Sequence, residues 1–134
     1  MRTEISVKTV RGHFVQQTEE ISGQDLLACN QCGKCSAGCP IVGSMDILPS
    51  QILRMAQLGM EDVLESNTIW ICASCLTCVA RCPKGVDLPR LMEALRQIAL
   101  RQGASQLNLN DLPPELLQEL PQLAIIGGCR KYMR

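Results

Sequence analysis

The 134-residue sequence predicts a helical core from about residue 20 to residue 102. Two segments, which begin near Pro49 and Asp87, carry apolar residues at helical spacing along one face. Proline stands near the start of each segment and glycine near its end, as is usual for helices. A repeated cysteine pattern occupies the chain before each of these segments and is expected to join the two halves.

The first element of this core is a short helix directly before the first cysteines. Ser22 reads as its N-cap, and Asp25 follows three residues later, as in a capping box. The pattern predicts a helix over 23–28 that leads the chain to Cys29.

The next helices are defined by their ends and their apolar stripes. One is predicted over 49–59, with an apolar stripe at Ile52, Leu53, Ala56 and Leu58. A shorter one is predicted over 61–66, where acidic residues fill the first turn. Asp87 caps the longest helix, and Gly103 ends it. Its apolar face is expected to comprise Leu88, Leu91, Met92, Leu95, Ile98 and Ala99, with Arg90, Glu93, Arg96, Gln97 and Arg101 elsewhere.

Both ends of the chain are expected to be arms, ordered mainly by something on which they dock. Alternation of apolar residues favours a strand over 4–10. Near the other end, the sequence favours a short helix over 113–120. The apolar stretch 123–128 has no expected place in the core. The sequence is therefore divided into an N-terminal arm (1–19), a helical domain (20–102) and a C-terminal tail with one short helix (103–134).

Composition argues against several classes of function. Thirteen basic residues balance thirteen acidic ones, so the chain lacks the positive charge that nucleic acids or anionic membranes attract. No apolar run approaches the roughly 18–20 residues of a membrane span, and no signal peptide is expected. We therefore expect a cytoplasmic protein with no membrane span and no nucleic-acid partner.

Eight of the nine cysteines form one pattern that occurs twice. The spacing Cys-x2-Cys-x2-Cys-x3-Cys-Pro is found over 29–40 and again over 72–83. Two-cluster ferredoxins of the bacterial type use this run to hold [4Fe-4S] clusters. Three thiolates at this spacing can wrap one cluster, while the fourth lies where the chain turns away at proline and binds the other cluster.

The spacing therefore predicts a crosswise set of ligands. The first cluster is expected at Cys29, Cys32, Cys35 and Cys82, and the second at Cys72, Cys75, Cys78 and Cys39. Zinc is one alternative, although zinc sites usually take two Cys-x2-Cys pairs separated by a longer loop. Disulfides are another, although they belong to oxidising compartments.

Residues between the ligands are expected to tune the reduction potentials of the two clusters. The first run is polar and can offer amides to the sulfurs, whereas the second is more apolar. Hydrogen bonds favour the negative charge that reduction adds, and burial disfavours it. The first cluster is therefore predicted to have the higher potential, with simple packing as the alternative role of these residues.

Few other residues are candidates for a function. His13 is expected at the surface, Cys129 as a free thiol, and the methionines as core fillers. Arg81 and Lys84 flank Cys82 and could attract a partner or offset cluster charge, with plain solvation as the alternative. No catalytic residue is predicted, because the chain has no phosphate loop, dinucleotide motif or nucleophile–base pair.

The residues around both runs resemble the C subunit of heterodisulfide reductase. The resemblance is carried by 27–35 with 38–40, by 45–59, and by 69–78 with 81–87. It implies an all-α, ferredoxin-like fold that holds two [4Fe-4S] clusters, and a place in a multisubunit complex. Related iron–sulfur subunits of fumarate reductase share the cysteine pattern but not the surrounding residues.

The resemblance also implies partners. In that family a flavin-containing A-type subunit passes electrons to the C-type one, which relays them to a cysteine-rich B-type subunit that performs disulfide chemistry. This chain would then be a non-catalytic electron-transfer subunit, since it lacks the adjacent cysteine pairs of B-type domains. Homologous sets of subunits also serve sulfur oxidation in bacteria.

Three other functions remain open at this point. They are a free-standing dicluster ferredoxin, an iron–sulfur subunit of another fumarate-reductase-like oxidoreductase, and a zinc-stapled interaction module. The apolar tail and the neutral charge favour a subunit over a diffusible ferredoxin, which is often acidic and would hide such segments.

Overall fold

The computed structural model describes residues 6–105 and 107–133, and every regular element in them is helical. The α-helices are α1 (Val7–Val10), α2 (His13–Ser22), α3 (Lys34–Ala37), α4 (Pro49–Gln57), α5 (Thr68–Ile71), α6 (Thr77–Arg81), α7 (Leu88–Arg101), α8 (Pro114–Glu119) and α9 (Gln122–Tyr132). Short 3₁₀ helices lie at Leu26–Ala28, Val42–Ser44, Glu61–Glu65 and Leu109–Asp111. The all-α prediction is confirmed. None of the described helices is long and apolar enough to cross a membrane.

The described residues form two compact units. One contains the residues up to Arg96, and the other contains those from Gln97 onward. These boundaries differ from the arm, domain and tail expected from the sequence. The difference at the N-terminus arises because α2 contacts α4 within the first unit.

The first unit is held together by apolar side chains from several short helices. The buried apolar residues are Phe14, Val15, Leu26, Ile52, Leu53, Ala56, Val63, Leu64, Ile69, Trp70, Val86, Leu88, Leu91, Met92, Ala94 and Leu95. Full burial of each large apolar side chain contributes about 1.5–3 kcal/mol relative to exposure. The cysteines lie outside this core, either half-buried or exposed.

The N-terminal segment belongs to this unit and is helical. The expected strand over 4–10 is wrong for its described part, because Ser6 caps α1 and shares two hydrogen bonds with Thr9 at 3.2 Å. Gly59, at φ 70°, lies against this segment: a Cβ there would collide with the Thr9 carbonyl. Phe14 of α2 is buried, so this segment is not an arm that waits for a partner.

Helix ends agree with the sequence prediction except before Cys29. Ser22 is the last residue of α2, not an N-cap, because Gly23 adopts a left-handed conformation (φ 64°) that ends the helix. Asp25 provides the cap, with its Oδ1 accepting from the Leu27 amide at 2.9 Å. The prediction that Asp87 caps α7 is confirmed: its Oδ1 accepts from the Arg90 amide at 3.2 Å.

The second unit is more regular than the sequence prediction of a tail with one short helix. Helix α8 was expected, but α9 was not, and α9 contains the apolar stretch 123–128. Within this unit α9 and the preceding residues line an open apolar cavity. The Leu107 amide donates to the Tyr132 carbonyl at 3.3 Å and fixes α9 to the loop before α8.

Candidate functional site

The two cysteine runs fold in the same way. Each has left-handed backbone at the second and fourth residues after its first cysteine: Gln31 and Gly33 (φ 58° and 75°), and Ser74 and Leu76 (φ 52° and 63°). A helix of one turn follows, α3 or α6, and contains the third cysteine. The repeat in the sequence is therefore also a repeat in the backbone, with glycine at one left-handed position and a strained leucine at its equivalent.

The first run closes around a cavity. All four thiols expected at the first cluster line it, namely Cys29, Cys32, Cys35 and Cys82. Of these, Cys32 is exposed and the others are half-buried. The structure thus brings the fourth cysteine of the second run to the first three of the first run.

The second run closes around a neighbouring cavity. The thiols expected at the second cluster all line it, namely Cys39, Cys72, Cys75 and Cys78. Here Cys75 is exposed, at the same position in the run as Cys32. Apolar groups complete the wall, among them the buried Met92 of α7.

The two cavities share a wall. Cys35 of α3 and Cys78 of α6 each line both cavities. Just after α3, the Arg81 side chain of α6 packs against Gly38: a Cβ there would lie 2.8 Å from Arg81 Cδ. Burial raises the pKa of Cys35, and burial followed by the nearby Cys72 thiol raises the pKa of Cys78 to about 11.

The donor groups fit two cubane clusters. Thiolate is the usual ligand of [4Fe-4S] clusters, and five thiols line each cavity: the four that one cubane needs and the third cysteine of the other run. In the part of the chain described, no three His, Cys, Asp or Glu side chains converge to hold one metal ion. A cubane places its four ligands on separate irons, so it calls for thiols distributed around a cavity.

Hydrogen bonds reach the sulfurs in both cavities. The amides of Gln31 and Val86 donate to Cys29 Sγ and Cys82 Sγ, each at 3.3 Å. In the second cavity the Cys75 thiol donates to the Thr77 hydroxyl at 3.4 Å, and this contact lowers the pKa of Cys75. Amide donors such as those of Gln31 and Val86 stabilise the negative charge of a reduced cluster.

Comparison with known proteins identifies the cysteine region. Residues 25–86 match the family of 4Fe-4S dicluster domains. The chain is 36% identical over 107 residues, 74% of its length, to an iron–sulfur C subunit of the CoB–CoM heterodisulfide reductase of Methanocaldococcus jannaschii. It is 34% identical over 82 residues, 61% of its length, to the C subunit of the ferredoxin:CoB–CoM heterodisulfide reductase of Methanosarcina mazei. This chain is a homologue of the heterodisulfide reductase C subunits.

The heterodisulfide reductase C subunits it matches are longer. The alignments cover 58% of the Methanocaldococcus protein and 51% of the Methanosarcina protein, so the chain spans about half the length of these relatives. The cofactors are two [4Fe-4S] clusters, as the dicluster domain and the two cavities indicate. The Methanocaldococcus relative is named an iron–sulfur subunit, in agreement with the dicluster match of this chain.

Other candidate residues from the sequence have modest roles in the structure. His13 is exposed at the start of α2, as expected, and Cys129 is half-buried in α9. Met92 is a core residue, whereas the methionines at 45, 55 and 60 are only half-buried. Arg81 packs over Gly38, and Lys84 lines the first cavity.

Three polar residues that support the site were not found from the sequence. Arg96, expected away from the apolar face, is 2% exposed, and its Nη1 donates to the Ile69 carbonyl at 2.6 Å. Gln57 is buried beside the first run. Asp46 bonds the start of α5, ahead of Cys72, by accepting from the Thr68 amide at 2.8 Å and the Asn67 amide at 2.9 Å.

Replacing Asp46 by asparagine is expected to loosen α5 and the cysteines that follow it. Burial raises the pKa of Asp46, but hydrogen bonds from Thr68, Asn67 and Ser66 outweigh it and hold the pKa well below the ordinary range. An amide nitrogen cannot accept, so Asp46→Asn loses part of this set and about 1–2 kcal/mol of stability at neutral pH. Thermal unfolding of anaerobic protein, followed by circular dichroism, measures the loss.

The pH dependence of the Asp46 effect has a definite sign. A depressed pKa in the folded state adds stability above the ordinary carboxylate pKa of about 3.9, and this is lost as the pH falls through the folded value. The difference between the wild type and Asp46→Asn should therefore narrow in acid. Asp62→Asn, at an exposed position, is the control. An equal effect of both substitutions at pH 7 would contradict the prediction.

Proposed function

We propose that this protein relays electrons between an A-type flavoprotein subunit and a B-type cysteine-rich subunit of a cytoplasmic heterodisulfide-reductase-like complex. The observation that carries the proposal is the wall of Cys35 and Cys78 that lines both cavities. Clusters in adjoining cavities exchange electrons without movement of the chain. The protein would therefore conduct electrons and leave bond chemistry to its partners.

The ligand sets are part of this proposal. Cys29, Cys32, Cys35 and Cys82 would hold the first cluster, and Cys72, Cys75, Cys78 and Cys39 the second. The lining of the two cavities supports this division. Cys35 and Cys78 line both cavities, and the spacing rule assigns each to the cluster of its own run.

A relay also needs a site of entry and a site of exit. Each cavity has one exposed thiol, Cys32 in the first and Cys75 in the second, so each cluster has an edge that a partner can approach. The second unit exposes Leu123 and Ile126 of α9, which are 81% and 56% accessible. Exposed apolar side chains of this kind favour a subunit with permanent partners over a diffusible ferredoxin.

Anaerobic purification of the protein from its own cells tests the proposal. The protein should copurify with a flavoprotein and a cysteine-rich subunit, and reduced flavin should bleach its visible iron–sulfur absorption. Iron and acid-labile sulfide should each be close to eight per copy of this chain, since two [4Fe-4S] clusters contain that number.

Two results would contradict the proposal in different ways. Recovery of a cluster-loaded but lone monomer would favour the free-standing ferredoxin. A colourless protein with bound zinc and no sulfide would reject electron transfer and favour the zinc-stapled module.

A further inference from the structure

Gln57 of α4 is a buried amide that contacts the first cysteine run. Its side chain is 4% exposed. Its Nε2 donates to the Leu26 carbonyl at 2.6 Å and to the Cys29 carbonyl at 3.2 Å. Its Oε1 accepts from Gln31 Nε2 at 3.2 Å and from Arg54 Nη1 at 3.4 Å. Every polar atom of this amide therefore has a partner.

This pattern determines which way two amides face. Carbonyl oxygens can only accept, so the nitrogen of Gln57 must point to the two backbone carbonyls. Its oxygen then points to Gln31, which must present its own nitrogen to that oxygen. The Gln31 amide is thus oriented by a chain of contacts that begins at the backbone before Cys29.

The nitrogen of Gln31 that faces Gln57 also faces a cluster ligand. Gln31 Nε2 lies 3.7 Å from Cys29 Sγ, and the Gln31 backbone amide lies 3.3 Å from the same sulfur. The two hydrogens of Nε2 are sufficient for both acceptors, Gln57 Oε1 and Cys29 Sγ. Cys29 Sγ thus receives a backbone donor and an oriented side-chain donor.

We propose that Gln31 raises the reduction potential of the first cluster, and that Gln57 is the positioning residue that holds its amide toward Cys29 Sγ. The inference rests on the proposed function, since it requires a cluster bound at Cys29. Reduction transfers one electron to the cluster from an external reductant, which is flavin in the complex and dithionite in a titration. The added charge spreads to the thiolate sulfurs, and a donor at Cys29 Sγ stabilises it.

Redox titration of the cluster-loaded protein, followed by electron paramagnetic resonance, tests this. Gln31→Met keeps the length of the side chain and removes its donor. It should lower the equilibrium constant for reduction of the first cluster roughly tenfold, or about 59 mV for one electron. Gln57→Met should lower this equilibrium constant by a smaller factor, because the Gln31 amide keeps its donor but loses its fixed orientation. The second cluster should shift less in both variants.

Matched variants keep the test decisive. Gln16→Met changes an exposed glutamine that lines neither cavity and should leave both potentials unchanged. Gln31→Asn supplies the test if Gln31→Met fails to load clusters. Asparagine suits the left-handed backbone, and its side chain is too short for the amide to hold the same contact.

The outcomes separate this inference from the proposed function. The role of Gln31 would be overturned if cluster-loaded Gln31 variants kept the wild-type reduction potential of the first cluster. The role of Gln57 would be overturned if that potential were unchanged in Gln57→Met. Neither result affects the relay. Wild-type protein without clusters would instead overturn the proposed function.

Discussion

Cys82→Ser is expected to disrupt the first cluster, although Cys82 belongs to the second cysteine run. The thiol lines the cavity of Cys29, Cys32 and Cys35, and a proline after it turns the chain away from its own run. Loss of one thiolate removes the ligand of one iron. The first cluster should therefore be lost, together with about half of the iron and sulfide, or should be converted to a form without that iron. Cys39→Ser should have the mirror effect on the second cluster. Metal analysis and electron paramagnetic resonance measure both.

Double variants test the crosswise arrangement directly. Cys82→Ser combined with Cys29→Ser should lose little more than either alone, because both would act on one cluster. Cys82→Ser combined with Cys72→Ser should damage both clusters. The reverse result would mean that each run holds its own cluster. Cys129→Ser, outside both cavities, should retain the full iron content.

Glu93→Met is expected to destabilise the protein more than Arg96→Met, although Glu93 is the more exposed partner. The Arg96 side chain is 2% exposed and that of Glu93 is 49% exposed, and Arg96 Nε donates to Glu93 Oε2 at 2.9 Å. Removing Glu93 leaves a buried charge without its counter-ion, which costs about 3–5 kcal/mol. Removing Arg96 leaves the Glu93 carboxylate, which water reaches, and leaves the Ile69 carbonyl without this donor. The expected loss of stability is about 1–3 kcal/mol.

The double variant of this pair completes the test. Glu93→Met with Arg96→Met removes the buried charge together with its partner, so its stability should return to that of Arg96→Met alone. Unfolding by urea under anaerobic conditions, followed by circular dichroism, measures the three variants. A double variant less stable than Glu93→Met would contradict the argument.

The parts of the fold that follow from short-range rules were predictable. Proline near the start and glycine after the end defined α4, and Asp87 defined the start of α7, because each of these residues acts within one helical turn. The grouping of cysteines around two cavities agrees with the spacing rule for the same reason: the ligand geometry is set within each run. The placement of Cys82 at the first cavity and of Cys39 at the second is long-range, but a proline follows each of them in the sequence.

The contacts that support the site could not be predicted. Arg96 is polar and falls beside the apolar stripe of α7, and only its contact with Ile69, 27 residues away, explains its burial. Asp46 and Gln57 likewise act on segments 21–31 residues distant. These separations along the sequence are longer than the span of any local pattern, such as a helix cap or an apolar stripe. A buried polar residue is recognisable only when its partner is known.

Two errors in the predicted helices had different causes. The pair Ser22-Gly23 fits either the start of a helix or the end of one, and α2 was not recognised before it. Without α2, the serine was interpreted as a cap. At the other end of the chain, Gly127 and Gly128 obscured α9, since glycine is a poor helix former.

The wall of Cys35 and Cys78 has a consequence for how two neighbouring clusters would accept electrons. An electron that enters one cubane repels the next at its neighbour, and half-buried surroundings screen that repulsion less than water does. With clusters in both cavities, occupancy by electrons would therefore be anticooperative: reduction of one cluster would lower the potential of the other. In the proposed relay, this chain would pass electrons singly and in sequence, and a partner that needs two at once would have to store the first itself.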